Sequence, residues 1–509
     1  MKKNGGLKSI NLTVVTAGLL IFITGIAALL RFYEIGKLSF WKDEIDTMGY
    51  ATLGLGSLLH VVFTSDPNMS LYYLLVHYWI QLLPPNPSEG PLRALSALFS
   101  VASIPVVFSL GKALGANRKQ AVGIGLVAAI LTTINAYSIQ YSQELRSYSL
   151  VFLLAALSTL LLIKAIERPD STLLWIGYVL VSAAAYYSQF FMGFMLIAQA
   201  VSLLVLFLGN RHTFPLKRAA GSYVAIGVII APVTYAAFKV GTAATLGWVL
   251  KPTFDSVRNF ATELAGNQGP LLLDLYLFLG SIGLLVGVGE WLGKDLVIKW
   301  KYTLMASCLF LTVAVVLVFS LVKTPIFVDR YLLFILPYLA ILAATGIVTL
   351  ASLGYKSREN LIITIPLGIT ALVLMIGLSA TGIKSYFDTY QKEDWRDVAQ
   401  LLAEKCPMGL HLYDRPYLEQ MAVYYNANLE SQVTNWSKFL SKDSSSKTLA
   451  KLLPNGYKQA CLVVAEVGTP KYEAQLKVIQ AAIRMKFPEV TEYKFQGRVE
   501  VFIYEAKKH

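Results

Sequence analysis

Eleven apolar runs, each near the length of a bilayer crossing, constrain this chain more than any other feature. A helix crosses the hydrocarbon core with about 20 residues. Inside that core every backbone N–H and C=O must be satisfied within the protein, so such runs fold as helices. They lie at 10–32, 92–113, 119–138, 149–166, 172–188, 190–209, 219–239, 271–293, 302–322, 330–350 and 360–383. Hydrophobic types make up 55% of the 509 residues and charged types 15%, where a soluble protein has about 25% charged. A soluble enzyme, a disordered chain and a coiled coil are thereby excluded. The first run, Ile10 to Phe32, follows Met1-Lys2-Lys3 and Lys8. It is too long for a signal-peptide core, and no clear small-residue cleavage site follows it. It reads as an uncleaved first span with its N-terminus in the cytosol.

The net charge of +13 would suit a nucleic-acid partner, but its placement argues otherwise. The connections on the N-terminal side of the membrane hold Arg118/Lys119, Arg168, Arg211/Lys217/Arg218, Lys294/Lys299/Lys301 and Lys356/Arg358. Each is basic, as the positive-inside bias requires. The surplus is a topology signal, and no nucleic-acid partner is expected. Eleven crossings put the C-terminal region outside. The count is most sensitive at 172–209, where two spans meet at Ser188-Gln189 with almost no loop. A re-entrant element there would flip every later segment.

After Lys384 no run reaches spanning length. Trp395, Val398, Leu401 and Leu402 have helical spacing. Leu410 to Tyr413, Ala460 to Val467 and Val499 to Tyr504 read as strands, Lys471 to Lys486 as a helix, and Ser441 to Lys447 as an exposed loop. The expected organisation is a polytopic α-helical membrane domain over 1–383, with an outer loop at 33–91, and an extracytoplasmic α/β domain over 384–509. Cys406 and Cys461 are the only cysteines of that outer domain. Two readings stand: a disulfide, which an outer compartment permits, or two separate thiols with Cys461 buried as a small hydrophobe. Cys308 lies in an apolar run, and no Cys-x-x-Cys pair exists.

Polar chemistry needs water and substrate, so the outer segments 33–91, 137–148, 240–270 and 323–331 are where it belongs. The first reads Leu38-Ser-Phe-Trp-Lys-Asp-Glu-Ile-Asp-Thr-Met-Gly-Tyr50. Adjacent carboxylates cannot share one helix face. On a loop or helix start one of Asp43 and Glu44 can meet a reacting hydroxyl while the other pairs elsewhere, or the segment is a solvated juxtamembrane loop. Leu53 to Phe63 suits an amphipathic helix on the membrane surface. The second, Ser138 to Tyr148, holds Glu144 and Arg146, which either enter a site or snorkel at the interface. The third, Pro325-Ile-Phe-Val-Asp-Arg-Tyr331, offers Arg330. Its guanidinium fork matches phosphate oxygens, although a snorkelling anchor has the same sequence. Arg93 carries the same ambiguity. His60, His77, His212, His411 and His509 show no metal-ligand spacing.

Together these segments resemble the C-type integral-membrane glycosyltransferases, in the branch of the protein O-mannosyltransferases and the lipid A aminoarabinose transferase. The likeness is an ordered series. L-S-F-W-K-D-E is similar to the family's first-loop acidic motif, and N-M-S-L-Y-Y-L-L-V-H-Y-W (68–79) to its P-P-L-Y-Y-x-L segment. P-L-R-A-L-S-A-L-F-S (91–100), Y-S-Q-E-L-R-S-Y (141–148) and D-R-Y-L-L-F-I-L-P (329–337) follow in order, with K-E-D-W-R (392–396) a looser match. The usual proline pair is Asn68-Met69 here, and a frequent His is Gln189. The resemblance implies transfer of a sugar, with inversion, from a polyprenyl-phosphate donor to a hydroxyl of a protein, lipid or glycan. It implies Asp43 as base, with Glu44 and Glu144 as acidic neighbours, and Arg146, Arg330, Tyr331 and Arg93 on the carrier phosphate. No cofactor is certain, and a divalent metal is left open. A bacterial plasma membrane is the expected location. The competing reading is a transporter or lipid flippase, supported by Pro105 and Pro232 within spans. It calls for broken helices and polar mid-span residues.

Overall fold

The computed structural model describes residues 12–241, 249–266, 269–292, 296–352, 358–430, 445–465 and 470–507. Lys2, Lys3, Lys8, Lys294, Lys356, residues 441–444 and His509 lie outside the described residues. Contacts divide the chain into two units, Met1–Ile35 with Tyr50–Asp388 and Gly36–Gly49 with Thr389–His509. The segment 33–91 is therefore shared between them.

The first unit is helical. Among the described residues, nine helices are long and apolar enough to cross a membrane: Leu12–Phe32, Glu89–Lys112, Tyr148–Glu167, Met192–Gly209, Leu216–Val240, Pro270–Gly289, Val297–Val322, Asp329–Ser352 and Pro366–Thr389. A bent pair, Arg118–Thr133 with Ala136–Ser142, and the shorter apolar helix Thr172–Ser188 account for the remaining two runs. At about 1.5 Å per residue, the latter's 17 residues reach about 25 Å. The protein is a multi-pass membrane protein. Large apolar side chains on the outside of the bundle, such as Ile21, Leu173 and Phe238, are exposed because hydrocarbon is their solvent.

Without a hydrophobic drive between helices in lipid, small residues and hydrogen bonds hold the bundle. A Cβ on Gly283 would collide with the carbonyl of Leu342, and one on Gly346 with that of Leu279. Those two helices thus approach at backbone distance. Deeper in the bundle Gln199 is buried in a hydroxyl cluster. Its Oε1 accepts from Tyr178 at 2.9 Å, and its Nε2 donates to Thr159 at 3.1 Å. Thr159 and Tyr338 share a 2.7 Å bond. The cluster is neutral and interlocked, which suits packing rather than ion passage. The helix Leu55–Thr64 buries Leu58 and Val62 and exposes Leu55, Leu59 and Phe63, an amphipathic division.

The second unit carries a four-stranded sheet ordered β1-β2-β4-β3, with β1 Leu410–Tyr413, β2 Gln459–Ala465, β3 Glu489–Phe495 and β4 Val499–Glu505. β1 and β2 are parallel, and the other pairings are antiparallel. The helices Trp395–Lys405 and Pro470–Arg484 match the expected pattern, and Trp395, Val398 and Leu402 face inward. β3 was not expected. It is an edge strand whose residues are mostly exposed, so it lacks the apolar face that would betray it. Its hairpin to β4 turns at Gly497, φ 73°, where a Cβ would strike the Glu393 backbone. Cys406 and Cys461 form a disulfide with Cα atoms 6.6 Å apart, inside the bridgeable range. It joins the end of the Trp395–Lys405 helix to β2. Gly409 is obligatory beside it, because a Cβ there would meet Cys406 Sγ.

The bridge spans a sequence separation of 55, and restricting such a loop in the unfolded chain is worth roughly 4 kcal/mol. Replacing both cysteines by serine should lower the unfolding midpoint of this unit, and peptides containing Cys406 and Cys461 should separate only after reduction. An unchanged midpoint with alkylatable thiols in the native protein would contradict the bond.

Candidate functional site

The acidic motif begins a helix, Lys42–Ala51, with Asp43 and Glu44 in its first turn. That is where carboxylates meet the positive end of the helix dipole. Successive side chains on a helix diverge by about 100°. Glu44 therefore points inward and is fully buried, while Asp43 is only half-buried. Glu44 Oε2 meets Lys392 Nζ at 3.4 Å, and both side chains are nearly water-free. The same ammonium lies 5.5 Å from the centre of the Trp41 ring. Around this pair the two segments are stitched together. Ser39 Oγ donates to the Glu393 carbonyl at 2.8 Å and accepts from Trp395 N at 3.2 Å. Phe40 N donates to Tyr425 Oη at 2.7 Å. K-E-D-W-R is thus the frame on which W-K-D-E is mounted. Thr47 Oγ1 donates to the Asp43 carbonyl, leaving the Asp43 carboxylate out of that contact.

The first unit builds a second polar assembly. The helix Arg118–Thr133 stops and resumes as Ala136–Ser142 at a 61° bend. Asn135 caps the new helix by accepting from Ser138 N at 2.8 Å. Arg31, fully buried, takes up the broken end. Its guanidinium donates to the carbonyls of Thr132 and Thr133 and to Ser100 and Ser138. The turn after the short helix then carries Gln143, Glu144 and Arg146, all buried. Gln143 Nε2 donates to the carbonyls of Arg31 and Tyr33, and its Oε1 accepts from Tyr386 at 2.8 Å. The Arg146 carbonyl accepts from Ser96 Oγ, which is also bonded to Tyr72. Glu144 and Arg146 are fixed here by backbone anchors on both sides.

Arg330 opens the turn Asp329–Ile335. Its Nε donates to Tyr148 Oη at 3.1 Å, and its guanidinium carbon lies 5.4 Å from the centre of the Tyr331 ring. Tyr331 packs edge-on to Phe191 at 5.3 Å. Tyr148 continues an aromatic ladder through Tyr141 to Tyr137, with ring centres 5.1 and 4.9 Å apart. Glu144, Arg146 and Arg330 therefore rise from the two ends of the same hydrogen-bonded and aromatic frame. Arg93 is 1% exposed and donates to the Ile35 carbonyl at 3.1 Å, so it anchors the end of the first span.

Asp66 accepts from Tyr73 Oη at 2.8 Å, and Tyr73 lies in the electrostatic range of Arg146. Burial, first, and Asp66, second, raise the Tyr73 phenol well above its ordinary value. His77 instead bonds the Ala51 carbonyl and Gln81. The segments around Asn68-Met69 and Gln189 meet in space. Asn68 Oδ1 accepts from Phe190 N at 3.3 Å and Ser70 Oγ donates to the Tyr187 carbonyl at 3.2 Å, either side of Gln189. Met69 between them adopts φ 66°, a left-handed conformation that costs a non-glycine residue about 1 kcal/mol or more. Sequence reasoning missed Arg31 and Lys392 as the partner of Glu44. Lys392 stands in K-E-D-W-R, but its pairing is long-range.

No protein-family model matches the sequence, and no curated protein matches it. Among solved structures the fold is similar to those of an archaeal oligosaccharyltransferase and of ArnT. The oligosaccharyltransferase of Archaeoglobus fulgidus in its apo form aligns at a TM-score of 0.57 and 12% identity, over 94% of this chain and 73% of that one. The same organism's AglB, in complex with an inhibitory peptide and a dolichol-phosphate, aligns at 0.53 and 12%, over 97% and 74%. ArnT from Cupriavidus metallidurans, bound to undecaprenyl phosphate, aligns at 0.52 and 12%, over 96% and 97%. At such identity the likeness is one of fold.

The buried Glu44–Lys392 pair yields a direct test. Removing one partner strands the other charge, which typically costs 3–5 kcal/mol. Glu44→Ala should lower the thermal unfolding midpoint of the purified protein. Glu44→Leu combined with Lys392→Met should recover most of the loss. A single substitution without effect would mean that the pair does not hold the motif.

Proposed function

We propose that the chain transfers a sugar from a polyprenyl-phosphate-linked donor to a hydroxyl acceptor at the outer face of a membrane. The observation that carries this reading is the fold, which matches ArnT over nearly the whole of both chains. ArnT and AglB were each solved with a polyprenyl-type phosphate. A donor of that kind keeps its tail in the bilayer and its phosphosugar at the surface. It also brings its own leaving group, so no nucleotide-binding domain is required.

In this reading Asp43 is the base. It takes the proton of the acceptor hydroxyl as the oxygen attacks the anomeric carbon. The glycosyl C–O bond breaks, its electron pair goes to the phosphate, and inversion follows from attack opposite the leaving group. Glu44, neutralised by Lys392, holds Asp43 in place. Glu144 supplies a second carboxylate. Arg330, with Arg146 and Tyr331, balances the charge that develops on the phosphate. Arg93 supports that side through its hold on the first span. The acceptor is a hydroxyl on protein, lipid or glycan, and membrane lipids are the surrounding partner. Residues 1–383 form the transferase domain and 384–509 an extracytoplasmic domain, in a plasma membrane with the N-terminus in the cytosol.

One structure of the A. fulgidus enzyme contains zinc and sulfate. Among the described residues of this chain, no group of three or more His, Cys, Asp or Glu side chains is arranged to hold a metal ion.

Two measurements test the reading. Asp43→Asn keeps the shape and loses the base. General-base catalysis contributes about 10²–10⁴-fold, so release of free carrier phosphate from the lipid-linked donor should fall at least a hundredfold, with membrane insertion normal. Near-normal release would move the base elsewhere, to Glu144 if Glu144→Gln alone abolishes it. Separately, a reporter fused at the C-terminus should be active only on the non-cytosolic side. Cytosolic activity would invert the topology.

A further inference from the structure

We propose that the acceptor is a carbohydrate, and that Lys42, Asp46, Gln420 and Tyr424, with the open face at Gly49, form the subsite that holds its sugar beside Asp43. The inference rests on the reading of Asp43 as the base of a glycosyl transfer. All of these residues belong to the second unit.

The helix Lys42–Ala51 divides by burial. Ile45, Thr47 and Met48 join Glu44 on its buried side. At about 100° per residue, Lys42, Asp43, Asp46 and Gly49 fall together on the remaining arc. The first three are half-buried there, and Gly49 is exposed. Asp46 stands one turn beyond Asp43, and such i,i+3 neighbours have Cβ atoms about 5–6 Å apart. One sugar can therefore reach both. The arc is clear of packing at Gly49, where a Cβ would meet nothing within 4 Å among the described residues. Its backbone is helical, and glycine is a poor helix former. Neither the backbone nor a neighbour calls for glycine at this position, and its effect is to keep the arc open.

The second wall comes from the helix Pro416–Tyr425. Gln420 is exposed, and its Nε2 donates to Asp46 Oδ1 at 3.1 Å. The other Asp46 oxygen pairs with Lys42. An ion pair this open to solvent adds little to stability, so its partners can be exchanged for ligand hydroxyls at small cost. One turn after Gln420, Tyr424 is 38% exposed. Its ring centre lies 5.8 Å from that of Phe40 and 5.1 Å from that of Tyr425. Those contacts brace the ring and leave part of it facing water.

A sugar presents adjacent hydroxyls, each both donor and acceptor, on a ring with apolar C–H faces. The Asp46 carboxylate has lone pairs for further O–H donors, Lys42 donates, and the Gln420 amide does both. The Tyr424 ring adds an apolar surface with a polar tip. An extended peptide is instead recognised through its backbone by a strand edge. A helix face cannot do this, because its backbone groups are bonded internally. A lipid chain calls for an apolar face, and this one is charged. Asp46 takes no proton in the reaction. The acceptor hydroxyl gives its proton to Asp43, its oxygen forms the new glycosidic bond, and the electron pair of the broken donor bond leaves with the phosphate.

The test incubates membranes carrying the full-length protein with envelope extract from cells that lack it, which supplies both the polyprenyl-phosphate sugars and the unmodified acceptor. Mass spectrometry then reads the linkage that forms. A new sugar-to-sugar linkage is expected. A sugar attached to a protein side chain, or to a lipid headgroup without sugar, would overturn the inference and leave the transferase reading standing. No transfer to any component would defeat that reading and the inference with it. The subsite is tested by titrating the oligosaccharide fraction of the same extract. Tyr424→Ala and Asp46→Asn should each raise its half-saturating concentration at least about tenfold, the worth of a hydrogen bond to a charged group. Asp43→Asn should instead lower the maximal rate. Gly49→Leu fills the arc with a better helix former, so the unfolding midpoint should not fall while the half-saturating concentration rises as much. A merely structural role would move the midpoint and spare that concentration. An unchanged half-saturating concentration in Tyr424→Ala and Gly49→Leu would overturn the subsite.

Discussion

A break in a helix inside the bundle must be closed by protein, because lipid offers no hydrogen bonds. Here Arg31 closes it. Its guanidinium, fully buried, donates to the carbonyls that the helix Arg118–Thr133 leaves free at its end. The polar turn at residues 143–146 follows from that break. It aims the short helix Ala136–Ser142, whose exit turn carries Glu144 and Arg146. It frees the buried side chain of Asn135 to cap that helix and to hold the end of the helix Phe254–Leu264. The cost of burying a cation is offset by five hydrogen bonds to neutral acceptors.

The second unit solves a different problem. A carboxylate expected to act as a base has to be fixed while retaining access to a reactant. The motif places two carboxylates in sequence so that one is sacrificed to positioning. Glu44 is buried against Lys392, and Asp43 on the adjoining face keeps partial exposure. The residues 36–49 group by contact with the C-terminal part of the chain rather than with the spans they follow. The trailing domain therefore has a stated physical task within its own unit, as the frame of the acidic motif.

The spans were legible because bilayer thickness and hydropathy leave little choice. The divergence of Asp43 and Glu44 could be read from helix geometry alone. Arg31 could not, because a lone arginine at the end of an apolar run has the sequence of an interfacial anchor. β3 was invisible because an edge strand facing water carries no apolar alternation. The pairing Glu44–Lys392 joins residues far apart in sequence. Nothing local in either segment specifies its partner.

The central claim is that this fold serves transfer from a lipid-linked sugar. Mass spectrometry of the cell envelope, comparing cells with and without the protein, tests it most directly by reading glycans, glycoproteins and polyprenyl-phosphate sugars together. The account predicts loss of one sugar from a hydroxyl-linked position and accumulation of the same sugar on the polyprenyl carrier. An unchanged glycan profile together with an unchanged carrier pool would contradict it.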